Sequence, residues 1–188
     1  MTRSYELKRR AERQDETRQR IVDATIELHQ TIGPARTTFS QIAEKAGVGR
    51  VTVYRHFPDE PSLSRACSGQ YYAQHPAPDP EGWRVIADPR DRLRAAMRET
   101  YAYHRLTEAM ISHVLADARD HPAVAAYHEH WHRAADVLVE PWKLRGLRRT
   151  TLRAGIALAL SFDTWRTLAR EQGLKDDQAV ELMLRLAG

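Results

Sequence analysis

The sequence contains little of what disulfide-rich or membrane-spanning proteins need. Cys67 is the one cysteine among 188 residues, so no disulfide can form within the chain, and a small scaffold held together by several disulfides is excluded. No apolar run approaches the ~20 residues that span a bilayer as a helix. Five of the first ten residues are charged and no apolar stretch follows them, so we expect no signal peptide. These absences predict a cytoplasmic protein with no membrane partner.

The chain also has only a small excess of positive charge. Lysine and arginine total 29 against 25 aspartates and glutamates, which gives a net charge of +4 and a pI near 9.4. This balance suits a nucleic-acid partner, but a basic protein without such a partner has the same composition. A chain of 188 residues with 42% hydrophobic content is long enough for one sizeable core, or for a small head on a larger body.

Strand-like alternation of useful length and internal repeats are absent, and apolar residues recur every three or four positions, as in helices. The first such stripe includes Ile21 and Leu28 and predicts a helix from about residue 15 to 32. Residues 1–14 are expected to form a loose helical extension or a solvated tail. The whole pattern predicts an all-α protein.

Residues 37–57 hold the most informative motif of the chain. Thr38 and Gln41 have the spacing of a capping box at the start of a helix. Gly47 stands where that helix must stop, in a left-handed conformation that glycine adopts at little cost. A second short helix is predicted over residues 50–56. Two short helices around a tight turn are the layout of a helix-turn-helix DNA reader, with an ordinary helical hairpin as the alternative.

The second helix of the motif is expected to turn Val53 and Phe57 inward and to leave its basic and aromatic residues outside. Recognition helices contact base edges with their N-terminal residues, so Arg50 is expected to approach a base edge or a phosphate. The residues expected at the DNA interface are Thr38, Gln41, Arg50, Val51, Thr52, Tyr54, Arg55 and His56.

The runs Ile-Ala-Glu-Lys-Ala-Gly-Val at 42–48 and Val-Tyr-Arg-His-Phe at 53–57 resemble the N-terminal domain of the TetR family of bacterial transcriptional regulators. The resemblance covers roughly residues 15–70. It implies a three-helix DNA-binding domain followed by a helical domain that binds ligand and dimerises. The implied function is that of a homodimeric repressor, with no enzymatic activity and no cofactor, that binds a double-stranded DNA operator and is released by a small organic effector.

Two positions depart from the pattern of that family. A lysine that contacts the DNA backbone is usual shortly after the His-Phe pair, whereas Glu60 stands near that position here. A serine or threonine often caps the reading helix, and Gly49 stands there instead, at little cost as an N-cap. Asp59 is expected to cap the next helix.

Three prolines and a glycine in residues 75–82 predict a loop that cannot be helical. The pair Asp88-Pro89 has the cap-then-proline order of a helix start. We expect an arm and DNA-binding domain over residues 1–60. A ligand-binding and dimerisation domain of five or six helices is expected over residues 61–188.

The apolar stripes of the second domain predict a helix from residue 89, a shorter one around 110–115, and others over 124–138, 152–169 and 176–187. Residues 152–169 are apolar on nearly all sides, and such a helix needs neighbours all round. One of those neighbours is expected to be a second subunit. The residues expected at the dimer interface are Leu152, Ile156, Ala159, Leu160, Ala179, Leu182, Met183 and Leu186.

Aromatic and histidine side chains also fall on these stripes. His104 and His128 are each either a hydrogen-bonded core histidine or a polar point in a ligand pocket, because such pockets combine apolar walls with few polar groups. A solid aromatic core is the alternative to a pocket. The residues expected to line the pocket are Tyr101, His104, Tyr127, His128, Trp131, Phe162 and Trp165.

His128 and His132 share a helical face and could hold a metal. No general base accompanies them in a known spacing, so we expect structural or solvated histidines and no metal site. Asp163 lies beside aromatic residues and must find a partner; an ion pair within the chain, for example with Arg166, is favoured over a ligand or a second subunit. The rival functions are a DNA-binding dimer without an inducer and a metal-dependent hydrolase built on the histidines.

Overall fold

The computed structural model describes residues 2–117 and 122–187, and these segments contain helices, turns and loops but no strand. The prediction of an all-α protein is confirmed. None of the described helices is both long and apolar enough to cross a membrane. The α-helices of these segments are α1 (Thr2–Thr31), α2 (Phe39–Ala46), α3 (Arg50–His56), α4 (Glu60–Gln74), α5 (Pro89–Asp117), α6 (Pro122–Val139), α7 (Gly146–Leu160), α8 (Phe162–Arg166) and α9 (Asp176–Ala187).

Contacts divide the described residues into two compact units. The first unit comprises residues 2–75 and 109–117, and the second comprises 76–108 and 122–187. The boundary predicted between residues 60 and 61 separates DNA binding from ligand binding and dimerisation, not one compact unit from another. It stays a prediction.

In the first unit, α1 packs against α2 and α4, and α2 packs against α3. Helix α1 begins at Thr2, so residues 2–14 form its first turns, which is the helical alternative of the two expected. These residues are mainly Arg, Lys, Glu and Ala, which favour helix, and each residue added to an existing helix gains a hydrogen bond. The side chains of residues 5–16 are all exposed.

The core of the first unit joins these helices and includes Met110 of α5, with Val114 of the same helix packed against it. Cys67 lies in this core, and burial raises the pKa of its thiol to about 12, so it is a packed, protonated side chain. The buried residues of this core include Ile21, Ile26, Ile42, Val53, Phe57, Leu63, Tyr71 and Met110.

Residues 75–79 form the predicted loop, but Pro80–Val85 of the second unit forms a turn of 3-10 helix. The prediction of a non-helical segment is therefore wrong from Pro80 onward. The carboxylate of Asp79 accepts a hydrogen bond from the Glu81 amide at 3.1 Å, and proline suits the first position of such a turn because its missing amide has no partner there anyway.

Helix α5 is one continuous helix of 29 residues, whereas two helices were predicted. After Pro89 it contains no glycine and no proline, so nothing in the backbone interrupts it. Two ion pairs within the second unit hold its middle: Arg105 with Asp176 at 2.6 Å and Glu108 with Arg170 at 2.5 Å. Residues 109–117 of the same helix belong to the first unit.

The apolar stretch 152–169, predicted as one helix, is broken after Leu160. Ser161 is extended, with φ −70° and ψ 145°, and its hydroxyl accepts a hydrogen bond from the Thr164 amide at 3.1 Å. Serine is a strong N-cap, and here it ends α7 and starts α8. The chain continues from α8 into a π-helical turn at Thr167–Glu171.

The break leaves carbonyl groups at the end of α7 without helical partners, and two buried side chains of α5 satisfy them. The Tyr101 hydroxyl donates to the Ala159 carbonyl at 3.0 Å. His104 Nε2 lies 2.9 Å from the Leu160 carbonyl and must donate, since a carbonyl can only accept. These polar side chains thus complete the hydrogen bonding of a buried helix end.

Candidate nucleic-acid interface

The start of α2 is fixed by the capping box predicted from the sequence. Thr38 Oγ1 accepts a hydrogen bond from the Gln41 amide at 3.3 Å, and Gln41 Oε1 accepts one from the Thr38 amide at 2.9 Å. Gln41 Oε1 also accepts from the Thr38 hydroxyl at 2.8 Å. Both residues are exposed, so any DNA contact that they make has to share groups that already hold the helix.

The turn between α2 and α3 depends on Gly47. Its φ of 64° and ψ of 40° are left-handed, as predicted, and its amide donates to the carbonyls of Ala43 and Glu44. A Cβ placed on Gly47 would meet only Arg20, at 3.9 Å. The position therefore requires glycine because of its backbone angles and not because of crowding.

Helix α3 buries one side and exposes the other. Val53 and Phe57 are buried in the first unit, as predicted. The opposite side carries exposed side chains of mixed chemistry, basic, aromatic and apolar. The exposed side chains of α3 are Arg50, Val51, Tyr54 and Arg55, with Thr52 and His56 partly exposed.

Three side chains are linked across the start of this face. The rings of Phe39 and Tyr54 lie 4.8 Å apart between centroids. The Arg50 guanidinium lies over the Tyr54 ring at 5.5 Å and donates to its hydroxyl at 3.2 Å. This arrangement gives the Arg50 side chain a defined position next to the first residues of α3. The sequence motif contained no signal for the Phe39 contact.

Two arginines of α1 contact the C-terminal ends of the motif helices, and neither contact was predicted from the sequence. Arg18 lies over the Phe57 ring at 4.9 Å. Arg20 donates to the Ala46 carbonyl at 3.2 Å, where the last carbonyls of α2 lack helical partners. The only signal in the sequence was their position just before the first buried residue of α1, Ile21.

His56 lies near the end of α3 among charged neighbours. Its pKa is lowered from 6.5 by partial burial and by the positive charges of Arg55 and Arg18, against a smaller opposing effect of Asp15. At neutral pH the imidazole is therefore mostly uncharged. It is suited to donate or accept a hydrogen bond rather than to act as a permanent cation.

The acidic residues after the motif serve the start of α4. Asp59 Oδ1 accepts a hydrogen bond from the Ser62 amide at 2.7 Å, and the bonds from the Ser62 amide and hydroxyl lower the pKa of this carboxyl. The predicted cap is therefore present. Glu60 is exposed in the first turn of α4, where a negative charge favours the helix dipole but offers nothing to a phosphate.

Comparison with known proteins identifies the segment that contains this motif. The family model described as bacterial regulatory proteins, tetR family, matches residues 21–66. These residues run from the buried part of α1 into α4. This segment of the chain is therefore similar to the tetR family of bacterial regulatory proteins.

Two regulators of Pseudomonas putida are similar to part of this chain. The HTH-type transcriptional regulator SrpR is 44% identical over 62 residues, which are 33% of this chain and 28% of SrpR. The HTH-type transcriptional regulator TtgR is 36% identical over 69 residues, which are 37% of this chain and 33% of TtgR. The similarity thus spans about a third of the length of these relatives.

A solved structure extends the likeness to the whole fold. A TetR-like transcriptional regulator from Rhodococcus sp. RHA1 is similar over 91% of this chain and 93% of its own, with a TM-score of 0.61 and 17% sequence identity. At that identity the likeness shows the fold alone. It agrees with an N-terminal helix-turn-helix domain followed by a helical domain.

Six of the seven residues expected to line a ligand pocket are buried in the second unit. Their rings pack against one another: His104 lies 5.2 Å from Trp131 and 5.5 Å from Phe162 between centroids, and Phe162 lies 5.6 Å from Trp165. The exception is His128, which is exposed; its place on a buried stripe was wrong because the buried side of α6 passes through Tyr127 and Trp131 instead. The buried six are Tyr101, His104, Tyr127, Trp131, Phe162 and Trp165.

The residues expected at a dimer interface divide into two groups. Most are buried within the second unit of a single chain and have almost no surface to offer a partner, so their assignment to an interface is corrected. Sequence periodicity does not distinguish burial within a chain from burial between chains. The buried residues are Ile156, Ala159, Leu160, Ala179 and Met183, whereas Leu182 and Leu186 are exposed and Leu152 is half-buried.

A different apolar surface lies on α7 and α9. Leu147, Leu158 and Leu186 are 82%, 61% and 71% exposed. A groove beside them is lined by residues of α7, of the turn before it and of α9. The groove residues are Leu144, Leu147, Arg148, Thr151, Leu152, Gly155 and Leu186. We call the groove residues, together with Leu158 and Leu182, the leucine surface.

Asp163 is exposed and pairs with Arg166 at 3.2 Å, so the ion pair within the chain that was favoured is present. Its expected burial among aromatic residues is wrong, because α8 turns Phe162 and Trp165 inward and Asp163 outward. Among the described side chains, no group of three histidines, cysteines or acids is placed to hold a metal.

Proposed function

We propose that the protein binds double-stranded DNA sequence-specifically, as a homodimer, and thereby regulates transcription. The observation that carries the proposal is the outward side of α3, which presents arginine, tyrosine and valine side chains from a helix whose other side is fixed in the core. A helix held in this way can enter a major groove while its side chains meet base edges. The match of residues 21–66 to the tetR family model supports the same function.

Two arguments support the homodimer, one from the geometry of DNA and one from the surface of the protein. Two reading helices about one turn of DNA apart require two copies of the motif. The leucine surface gives a second copy an apolar area to cover, which the buried residues named from the sequence do not. Exposed apolar patches of this kind mark interaction sites.

The finer proposal is that the protein is a repressor and that a small organic effector releases it from DNA. Three buried polar atoms support an effector: Thr100 Oγ1, His104 Nδ1 and Trp131 Nε1 have no partner within the described part of the chain. Buried polar groups are normally satisfied, and a ligand with donor and acceptor groups could satisfy them. The packed rings favour the alternative, a DNA-binding dimer without an inducer.

An effector would act by shifting a population. It must bind the form of the dimer that fits DNA poorly more tightly than the form that fits well. The amount by which it lowers operator affinity cannot exceed that difference in binding.

The experiment that tests DNA reading starts from a random pool of duplexes. We expect the protein to enrich a two-fold symmetric site, and Arg50→Ala to weaken binding to that site by about 1–3 kcal/mol if Arg50 contacts a guanine edge. Arg185→Ala, an exposed arginine of α9, is the control and should bind as the unmodified protein does. Failure of the unmodified protein to prefer any duplex would refute the proposed function.

A further inference from the structure

Val51 is the most exposed residue of α3 whose side chain has no polar group, with 81% of its surface accessible. Valine is a poor helix former compared with alanine or leucine, so it does not support the helix by propensity. Because it is exposed, it does not support the core of the first unit by burial either. Neither helix stability nor packing explains a valine here.

The position of Val51 on the helix is specific. Successive residues of an α-helix are about 100° apart, and the direction midway between the buried Val53 and Phe57 points away from Val51 and Arg55. These two residues, one turn apart, therefore occupy the middle of the outward side. Tyr54 and Thr52 flank them on either side.

The major groove offers an apolar side chain one apolar group on the base edges, the methyl group of thymine. Base edges there present hydrogen-bond donors and acceptors, and thymine alone adds an apolar group, its 5-methyl. Valine has no side-chain donor or acceptor. The thymine methyl is therefore the base-edge group with which a branched apolar side chain in the middle of this surface makes a favourable contact.

We infer that Val51 is a specificity-determining residue that contacts the 5-methyl group of a thymine in each half of the DNA site. This inference rests on the proposed function. Burial of the methyl group against the valine side chain removes both from water, and the methyl group is the whole difference between thymine and uracil. Replacement of that thymine by uracil should therefore weaken binding, although it removes only one carbon atom from the DNA.

The experiment uses the full-length protein and a duplex recovered from the random pool, resynthesised with deoxyuridine in place of one thymidine at a time. At one position in each half-site, the unmodified protein should bind the uracil duplex about fourfold more weakly, which corresponds to ~0.8 kcal/mol, the value of one buried methylene. Val51→Ala should bind the thymine and uracil duplexes equally at that position. Val85→Ala is the matched control, because Val85 is 86% exposed in the second unit, and it should keep the fourfold preference.

Two results would overturn the inference. One is that no single replacement of thymine by uracil weakens binding of the unmodified protein. The other is that the preference for thymine persists in Val51→Ala, which would assign the methyl contact to another residue. Both presuppose that the unmodified protein prefers a sequence, so they are distinguishable from a failure of the proposed function, in which no duplex is preferred at all.

Discussion

Arg50 and Tyr54 form a pair one helical turn apart on the exposed side of α3. The guanidinium of Arg50 lies 5.5 Å from the centroid of the Tyr54 ring, and it donates to the tyrosine hydroxyl at 3.2 Å. The ring itself rests against Phe39 of α2. A long, flexible side chain at the start of the reading helix is thus held by a short chain of contacts that begins on the neighbouring helix.

Removal of the tyrosine hydroxyl tests this pair. In Tyr54→Phe the ring contact with Phe39 remains, but the hydrogen bond to Arg50 is lost. We expect operator affinity to fall by about two- to twelvefold, because ordering a free arginine side chain on binding costs about 0.5–1.5 kcal/mol. Fluorescence titration of the selected duplex measures the change.

A double-mutant cycle separates this effect from a direct contact of Tyr54 with DNA. If Tyr54 acts by holding Arg50, then Tyr54→Phe should cost nothing further in the Arg50→Ala background. Additive losses in the double variant would contradict the positioning role and indicate that each residue contacts DNA independently.

Two glycines of the first unit should respond to alanine with opposite signs. Gly47→Ala forces a side chain into a left-handed backbone and should reduce the free energy of unfolding by about 1–2 kcal/mol. Gly69 lies exposed within α4, and a Cβ there meets no atom within 4 Å, so Gly69→Ala should raise it by about 0.5–1 kcal/mol. Urea denaturation of both variants measures the difference, and a similar effect of the two substitutions would contradict the backbone explanation.

His104 should make stability depend on pH. Burial lowers its pKa from 6.5 to about 4, so between these values the unfolded chain binds a proton that the folded chain does not. The stabilisation is complete above pH 6.5 and decreases as the pH falls towards 4, by about 3 kcal/mol in total. Denaturation midpoints at several pH values in this range measure the decrease.

The control for this prediction is His104→Gln, which does not titrate and can still donate from its amide to the Leu160 carbonyl. The unmodified protein should lose more stability than this variant as the pH falls below 6.5. Parallel pH profiles for the two proteins would show that other groups cause the dependence.

The leucine surface can be tested by charge. Leu158→Glu or Leu186→Glu places a carboxylate in the proposed interface of both copies, where each lost leucine contributes about 1.5–3 kcal/mol. The dissociation constant of the dimer should therefore rise at least about a hundredfold. Light scattering measures the mass, and circular dichroism should show unchanged helix content.

Leu106→Glu is the matched control for these variants, since Leu106 is a leucine of α5 with 66% of its surface exposed. It should leave the dimer intact. A monomeric unmodified protein, or a dimer that persists in both Leu158→Glu and Leu186→Glu, would refute the assignment of this surface.

The sequence was most informative where local chemistry decides the structure. The capping box of Thr38 and Gln41, the left-handed Gly47 and the cap at Asp59 each depend on interactions within a few residues, and the structure contains all three. The inward side of α3 followed from spacing alone. These elements required no knowledge of the rest of the chain.

The sequence was least informative where contacts distant in the chain decide. The end of α7 at Ser161 depends on partners for its carbonyls that come from Tyr101 and His104, more than 50 positions earlier. Burial of Ile156 within the chain, and exposure of Leu158, depend on which side of α7 faces α6 and α9. Apolar periodicity identifies a helix with many neighbours but does not identify the neighbours.

The division of α5 between the two units affects how the protein can be dissected. Met110 and Val114 of this helix pack into the core of the first unit, although the second unit's residues 76–108 precede them in the chain. A fragment that stops after residue 75 would leave part of that core uncovered. An isolated DNA-binding fragment should therefore also need residues 109–117. A hybrid protein that exchanges the first unit for that of another regulator should exchange both of its segments, 2–75 and 109–117.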